Sequence, residues 1–93
     1  METKKQLETA LHDAMRSNNE LRKRTLRMAL AAIKNAEIDS GSPLEEESIL
    51  GILHKEVKSR KESIVDAQKA NRPDLITTAE SELKIIEEFL PQS

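Results

Sequence analysis

The sequence predicts an all-α fold, a bundle of four helices in one domain spanning residues 1–93, and three observations carry that prediction. Apolar residues recur at three- and four-residue steps along four stretches, the period of one helical face. Gly and Pro number only two and three, and all but Gly51 fall between or at the ends of those stretches. The composition is 37% hydrophobic and 34% charged with a single aromatic residue, Phe89, which suits amphipathic helices and leaves little for strands. At 93 residues the chain is near the lower end of what folds alone without disulfides or metal.

The first helix is expected over Thr3 to Arg16, with Leu7, Ala10, Leu11, Ala14 and Met15 on one face. Ser17, Asn18 and Asn19 break it, and either asparagine can cap the next helix by accepting from an unpaired backbone N–H. Helix two is expected over Glu20 to Ile38. Its apolar positions, Leu21, Thr25, Leu26, Met28, Ala29, Leu30, Ala32, Ile33 and Ala36, spread over roughly half the circumference at about 100° per residue. That width predicts a central helix packed from two sides. Asp39-Ser40-Gly41-Ser42-Pro43 reads as a loop, and Glu45, Glu46 and Glu47 suit the positive end of a third helix. Helix three carries Leu50, Leu53, Val57, Ile64 and Ala67 and ends near Ala70. Asn71 suits a left-handed position and Pro73 the first turn of helix four, along which Ile76, Ala79, Leu83, Ile86 and Leu90 recur at three- and four-residue steps before Pro91 closes it.

Composition also excludes several classes. With no Cys there is neither a disulfide framework nor a thiolate metal site, and a reducing cytoplasm is the expected setting. Residues 1–15 mix Lys with Glu and Asp, unlike a signal peptide, a transit peptide or a membrane span. His12 and His54 have no metal-ligand spacing around them, Gly41 and Gly51 are isolated, and Glu80 and Glu82 lie two apart, where helical side chains do not face each other. No catalytic residue, metal or cofactor is expected.

What remains is charge. From Arg16 to Lys34 six cations stand against Glu20 alone, and from Asp74 to Glu88 five acids stand against Lys84. The two blocks either answer each other inside the fold or point to a partner. Lys23, Arg27 and Lys34 share one polar face of helix two, and Lys55, Lys58 and Lys61 with Arg72 form a second set on and beyond helix three. Either set suits a phosphate backbone. Without exposed aromatics any RNA contact would run through backbone and shape, not base stacking. Arg60 is different, because it falls within the apolar arc of helix three. It is expected to pair with Glu80 or Glu82 of helix four and fix helix register, or, with Lys61, to hold an anion at the bundle's edge.

Lys55-Glu56-Val57-Lys58-Ser59-Arg60-Lys61-Glu62-Ser63-Ile64, followed by Ala70-Asn71-Arg72-Pro73-Asp74-Leu75, resembles the central motif of the YqeY family, the GatB/YqeY domain proteins. Arg24-Thr25-Leu26-Arg27-Met28, Ile33-Lys34-Asn35-Ala36-Glu37-Ile38, Glu80, Glu82-Leu83 and Phe89-Leu90-Pro91 agree in order, so the resemblance covers nearly the whole chain. It implies likeness to the tail domain of the B subunit of the aspartyl/glutamyl-tRNA amidotransferase, and hence a non-catalytic tRNA-associated accessory domain. The family label of carbon–nitrogen ligase activity with glutamine as amide donor follows from that association. The resemblance further implies a second, smaller helical subdomain beyond Ser93, against which Phe89 and Leu90 would dock. The alternative is a protein–protein interaction module without RNA binding. Neither DNA nor membrane is an expected partner.

Overall fold

In the computed structural model, which describes residues 2–91, four helices follow in order: α1 (Glu2–Arg16), α2 (Glu20–Ser40), α3 (Glu46–Lys69) and α4 (Pro73–Glu87). The fold is all-α. α2 touches each of the other three helices, α3 and α4 form the most extensive pairing, and α1 does not meet α4.

Local chemistry sets the boundaries. Asn18 takes a left-handed turn at φ 58°, and Asn19 caps α2, its side-chain oxygen accepting from the Arg22 N–H at 3.2 Å. α2 stops at Gly41, whose φ of 75° places it in the left-handed region while its N–H donates back to the carbonyls of Glu37 and Ile38. Asn71, at φ 55°, turns the chain between α3 and α4. Pro73 opens α4, where its missing N–H costs nothing.

The core is built from Leu7, Ala10 and Ala14 of α1, Leu26, Ala29 and Ile33 of α2, Ile49, Leu53 and Val57 of α3, and Ile85, Ile86 and Leu90 from α4 and its exit. Thr25 is buried without loss because its hydroxyl donates to the Leu21 carbonyl at 2.8 Å. Three expectations need correction. Met15 and Met28 are about half exposed, since each lies at the rim of its helix's apolar arc, where a neighbouring helix covers one side at most. Ile49 and Ile85 are buried although the sequence seams passed beside them. The apolar end expected at Phe89 and Leu90 is covered within the chain: Leu90 is buried in the core, and Phe89 packs against it half-buried.

Gly41 tests the α2 boundary cleanly, because a Cβ there would meet nothing within 4 Å. Gly41→Ala is expected to cost about 1 kcal/mol from the left-handed backbone alone, read as a shift in a urea melt. A cost near zero would mean that the turn relaxes.

Candidate functional site

Arg60 sits on the buried side of α3, in line with Leu53, Val57 and Ala67, and is 7% exposed. A guanidinium so placed must be neutralised. Glu56, one turn earlier on the same helix, accepts from its Nη1 at 2.5 Å, and Glu82 of α4 lies 3.7 Å from its Nε. Its Nη2 reaches the Met28 sulfur of α2 at 3.8 Å. Glu82 is itself largely buried, and its other oxygen meets Arg24 of α2 at 3.4 Å. Arg24, Glu82, Arg60 and Glu56 thus form one alternating chain of charge across α2, α4 and α3. The Nε of Arg60 is buried without a hydrogen bond among the described residues, so Glu82 holds it by attraction alone. Of the two expected carboxylates, Glu82 faces Arg60, whereas Glu80 is exposed and takes no part, because two helical residues so spaced point about 160° apart. The anion-holding alternative fails, since carboxylates already flank the guanidinium. The Glu56 partnership was legible as an i, i+4 spacing, but Met28 and Arg24 could be found only in three dimensions.

The seven cations read as RNA candidates separate into two groups. Lys23 pairs with Glu20 at 2.9 Å, and Arg72 is held by two hydrogen bonds to Asp74. That contact raises the arginine's pKa and lowers the carboxyl's, the side-chain hydrogen bond being the main cause in each. Arg27, Lys34, Lys55, Lys58 and Lys61 are exposed, and none of the ion pairs among the described residues involves them. The basic and acidic blocks also meet directly where Arg22 grips Glu88 through two bonds of 2.9 Å, which raises the Arg22 pKa.

Glu37 is a junction that the sequence did not reveal. Lys4 of α1 donates to one of its oxygens at 2.9 Å, and the Leu44 N–H of the α2–α3 loop donates to the other at 3.1 Å. The lysine first and the amide second hold its pKa below the usual carboxylate value. Thr3 adds a second tether, donating from hydroxyl and amide to Glu46 at the start of α3.

An open groove of about 440 Å³ runs between α3 and α4, lined by Ser63, Asp66, Ala67, Leu75, Thr78 and Glu82 among others. Its polar side chains contain no nucleophile paired with a base. Among the described residues no three His, Asp or Glu side chains come together where they could hold a metal ion. Among the described residues no helix is long and apolar enough to cross a membrane.

The family model described as Yqey-like protein matches residues 4–93. The chain belongs to the YqeY-like family. The resemblance read from the motif on α3 is borne out. Among curated relatives, the protein called Altered inheritance of mitochondria protein 41, mitochondrial, is 41% identical over 87 residues in Lachancea thermotolerans, covering 92% of this chain and 46% of that one. Its namesake in Vanderwaltozyma polyspora is 41% identical over 85 residues, or 90% and 46%. An uncharacterized protein of Schizosaccharomyces pombe is 33% identical over 82 residues, or 88% and 67%. This YqeY-like chain therefore spans about half the length of the first two. These relatives are named as mitochondrial proteins, which overturns the cytoplasmic setting expected from the sequence. The physical reason is simple: a chain without cysteine carries no redox signature, so it cannot distinguish one compartment from another.

Two outcomes test these junctions. Arg60→Leu, which leaves Glu56 and Glu82 without their shared cation, and Glu82→Ala, which leaves the guanidinium buried with Glu56 alone, should each cost about 1–3 kcal/mol in a denaturant melt, and Arg60→Leu combined with Glu82→Leu should cost less than the two single changes summed; strict additivity would show that charge is not what matters there. Because the Glu37 pKa is lowered on folding, its contribution is full above the ordinary carboxylate range and is lost as pH falls through the depressed value. Stability measured from about pH 6 downward should therefore fall less steeply in Glu37→Gln than in the parent, and parallel curves would contradict this.

Proposed function

We propose that this YqeY-like chain is a non-catalytic accessory domain that associates with tRNA in mitochondria, the chemistry residing on whatever enzyme it serves. The observation that carries the reading is the set of free cations on α3: Lys55, Lys58 and Lys61 are exposed, and no ion pair among the described residues neutralises them. Spaced three apart, they span about 9 Å of helix axis, enough to meet consecutive phosphates. The names of the mitochondrial relatives support the compartment. The likeness of the family to the amidotransferase tail domain supports a helper's role beside a carbon–nitrogen ligase.

Arg27 and Lys34 of α2 are free as well, but they stand beside exposed Met28 and Ile38, which a phosphate chain does not use. Lys23 and Arg72 are tied to carboxylates and add little net charge. Glu62, exposed on the same helix, tempers the field of the α3 lysines. Affinity should accordingly be modest, dependent on charge and largely indifferent to base sequence.

Triple reversal of Lys55, Lys58 and Lys61 to Glu is expected to weaken tRNA binding at low salt by about tenfold or more and to lower the salt slope by about two to three. Helicity should be unchanged, since all three side chains are exposed. Undetectable binding of tRNA by the parent at low salt, or affinity unmoved by reversal on both α2 and α3, would leave the protein-interaction reading in its place.

A further inference from the structure

A second surface has a different chemistry. Along the outward side of α2 the residues Arg24, Met28, Ala31, Asn35 and Ile38 follow one another at steps of four, three, four and three, the spacing of a coiled-coil seam. At about 100° per residue, all five lie within an arc of about 80°. All are exposed, Met28 by 46% and Ile38 by 67%, on a helix whose opposite side already supplies Leu26, Ala29 and Ile33 to the core. The N-terminal half of this face is a groove of about 490 Å³ lined by Glu20, Lys23, Arg24, Arg27, Met28 and Ala31. Arg27 and Lys34, seven residues apart, flank the seam on one side, and α2 has no carboxylate between Glu20 and Glu37.

We infer that the Met28–Ile38 seam of α2 docks an acidic amphipathic helix of a partner protein, its apolar stripe on Met28, Ala31 and Ile38 and its carboxylates against Arg27 and Lys34. Charge decides the occupant. A second copy of this chain laid antiparallel across the seam would bring Arg27 of one copy against Lys34 of the other, with no anion between them, which disfavours self-association. A nucleic acid would gain the two cations and leave the apolar side chains wet. A helix bearing glutamates along one edge satisfies both features at once, and Asn35 within the seam supplies a polar position of the kind that sets register. The surface is distinct from the α3 lysines and does not rest on the RNA reading. Together, the two faces would let a domain without an active site hold a nucleic acid on one side and a protein on the other.

The test uses a pair of synthetic peptides of about three heptads, identical in their leucine seam, one flanked by Glu and the other by Lys. Titration into the isotope-labelled chain, followed by amide shifts, should show the Glu peptide binding at least about tenfold tighter than its Lys twin, with shifts concentrated between Arg24 and Ile38. Arg27→Glu with Lys34→Glu should invert that preference, and Met28→Gln with Ile38→Gln should weaken both peptides while leaving helicity and tRNA affinity unchanged. Equal binding of the two peptides, shifts that map elsewhere, or dimerisation through α2 in sedimentation would overturn the inference. So would displacement of the Glu peptide by tRNA that survives reversal of the α3 lysines, since that outcome would make α2 the nucleic-acid face. Loss of tRNA binding on α3 reversal with peptide binding intact would separate the two surfaces.

Discussion

A guanidinium buried between three helices must be compensated, and the arrangement of this bundle follows from how that is done. Arg60 takes its place in the apolar seam of α3, so the helices packed on α3 have to bring it oxygen. α3 supplies Glu56 from one turn away, and α4 supplies Glu82. Glu82 then needs a cation of its own on its other oxygen and finds Arg24 on α2. The resulting alternation of charge links α2, α3 and α4 through side chains that cannot slide by a turn without leaving a buried charge alone. Apolar packing among Leu26, Ile33, Leu53 and Ile86 contributes most of the burial. Such contacts tolerate small shifts, whereas the charge chain specifies one register.

α1 is joined to this frame by other means. It does not meet α4, and it is tethered at its first turn by Thr3 to Glu46 and by Lys4 to Glu37. Glu37 reaches Leu44 in the α2–α3 loop as well, so one carboxylate ties the start of α1 to the end of α2 and to the approach of α3. The N-terminal helix is thus an integral part of the core at Leu7, Ala10 and Ala14, yet its outer tethers are polar, and the one through Glu37 weakens in acid where the apolar contacts do not.

The same accounting separates structural charge from charge available to partners. The basic block of α2 and the acidic block of α4 largely answer each other, through Arg22 with Glu88 and Arg24 with Glu82. Further along α2, past the reach of α4, Arg27 and Lys34 remain beside Met28 and Ile38. On α3 the three lysines have one exposed apolar neighbour, Val65, a turn beyond Lys61. Two surfaces of unlike chemistry therefore survive on one small bundle.

Helix number and order, and the residues that turn the chain between helices, were legible in the sequence because they depend on local chemistry: the three- and four-residue period, the asparagine cap at Asn19, the left-handed Gly41 and Asn71, and Pro73 in a first turn; yet α2 runs on through Asp39 and Ser40, which read as loop, and α4 stops at Glu87, short of the expected Leu90. The family was legible for a related reason, since its motif lies in one unbroken stretch of α3. Which rim residues are buried was not, and Met28, Leu90 and Ile49 depended on where neighbouring helices cross. The choice of Glu82 over Glu80, the part of Arg24, and the tie of Lys4 to Glu37 were also beyond reach, for they join residues 22 to 58 positions apart. Periodicity states which face of a helix is apolar and carries no information about which other helix will cover it. That choice was made only when packing brought the four faces together, and it separated the charges spent on the fold from those left for partners.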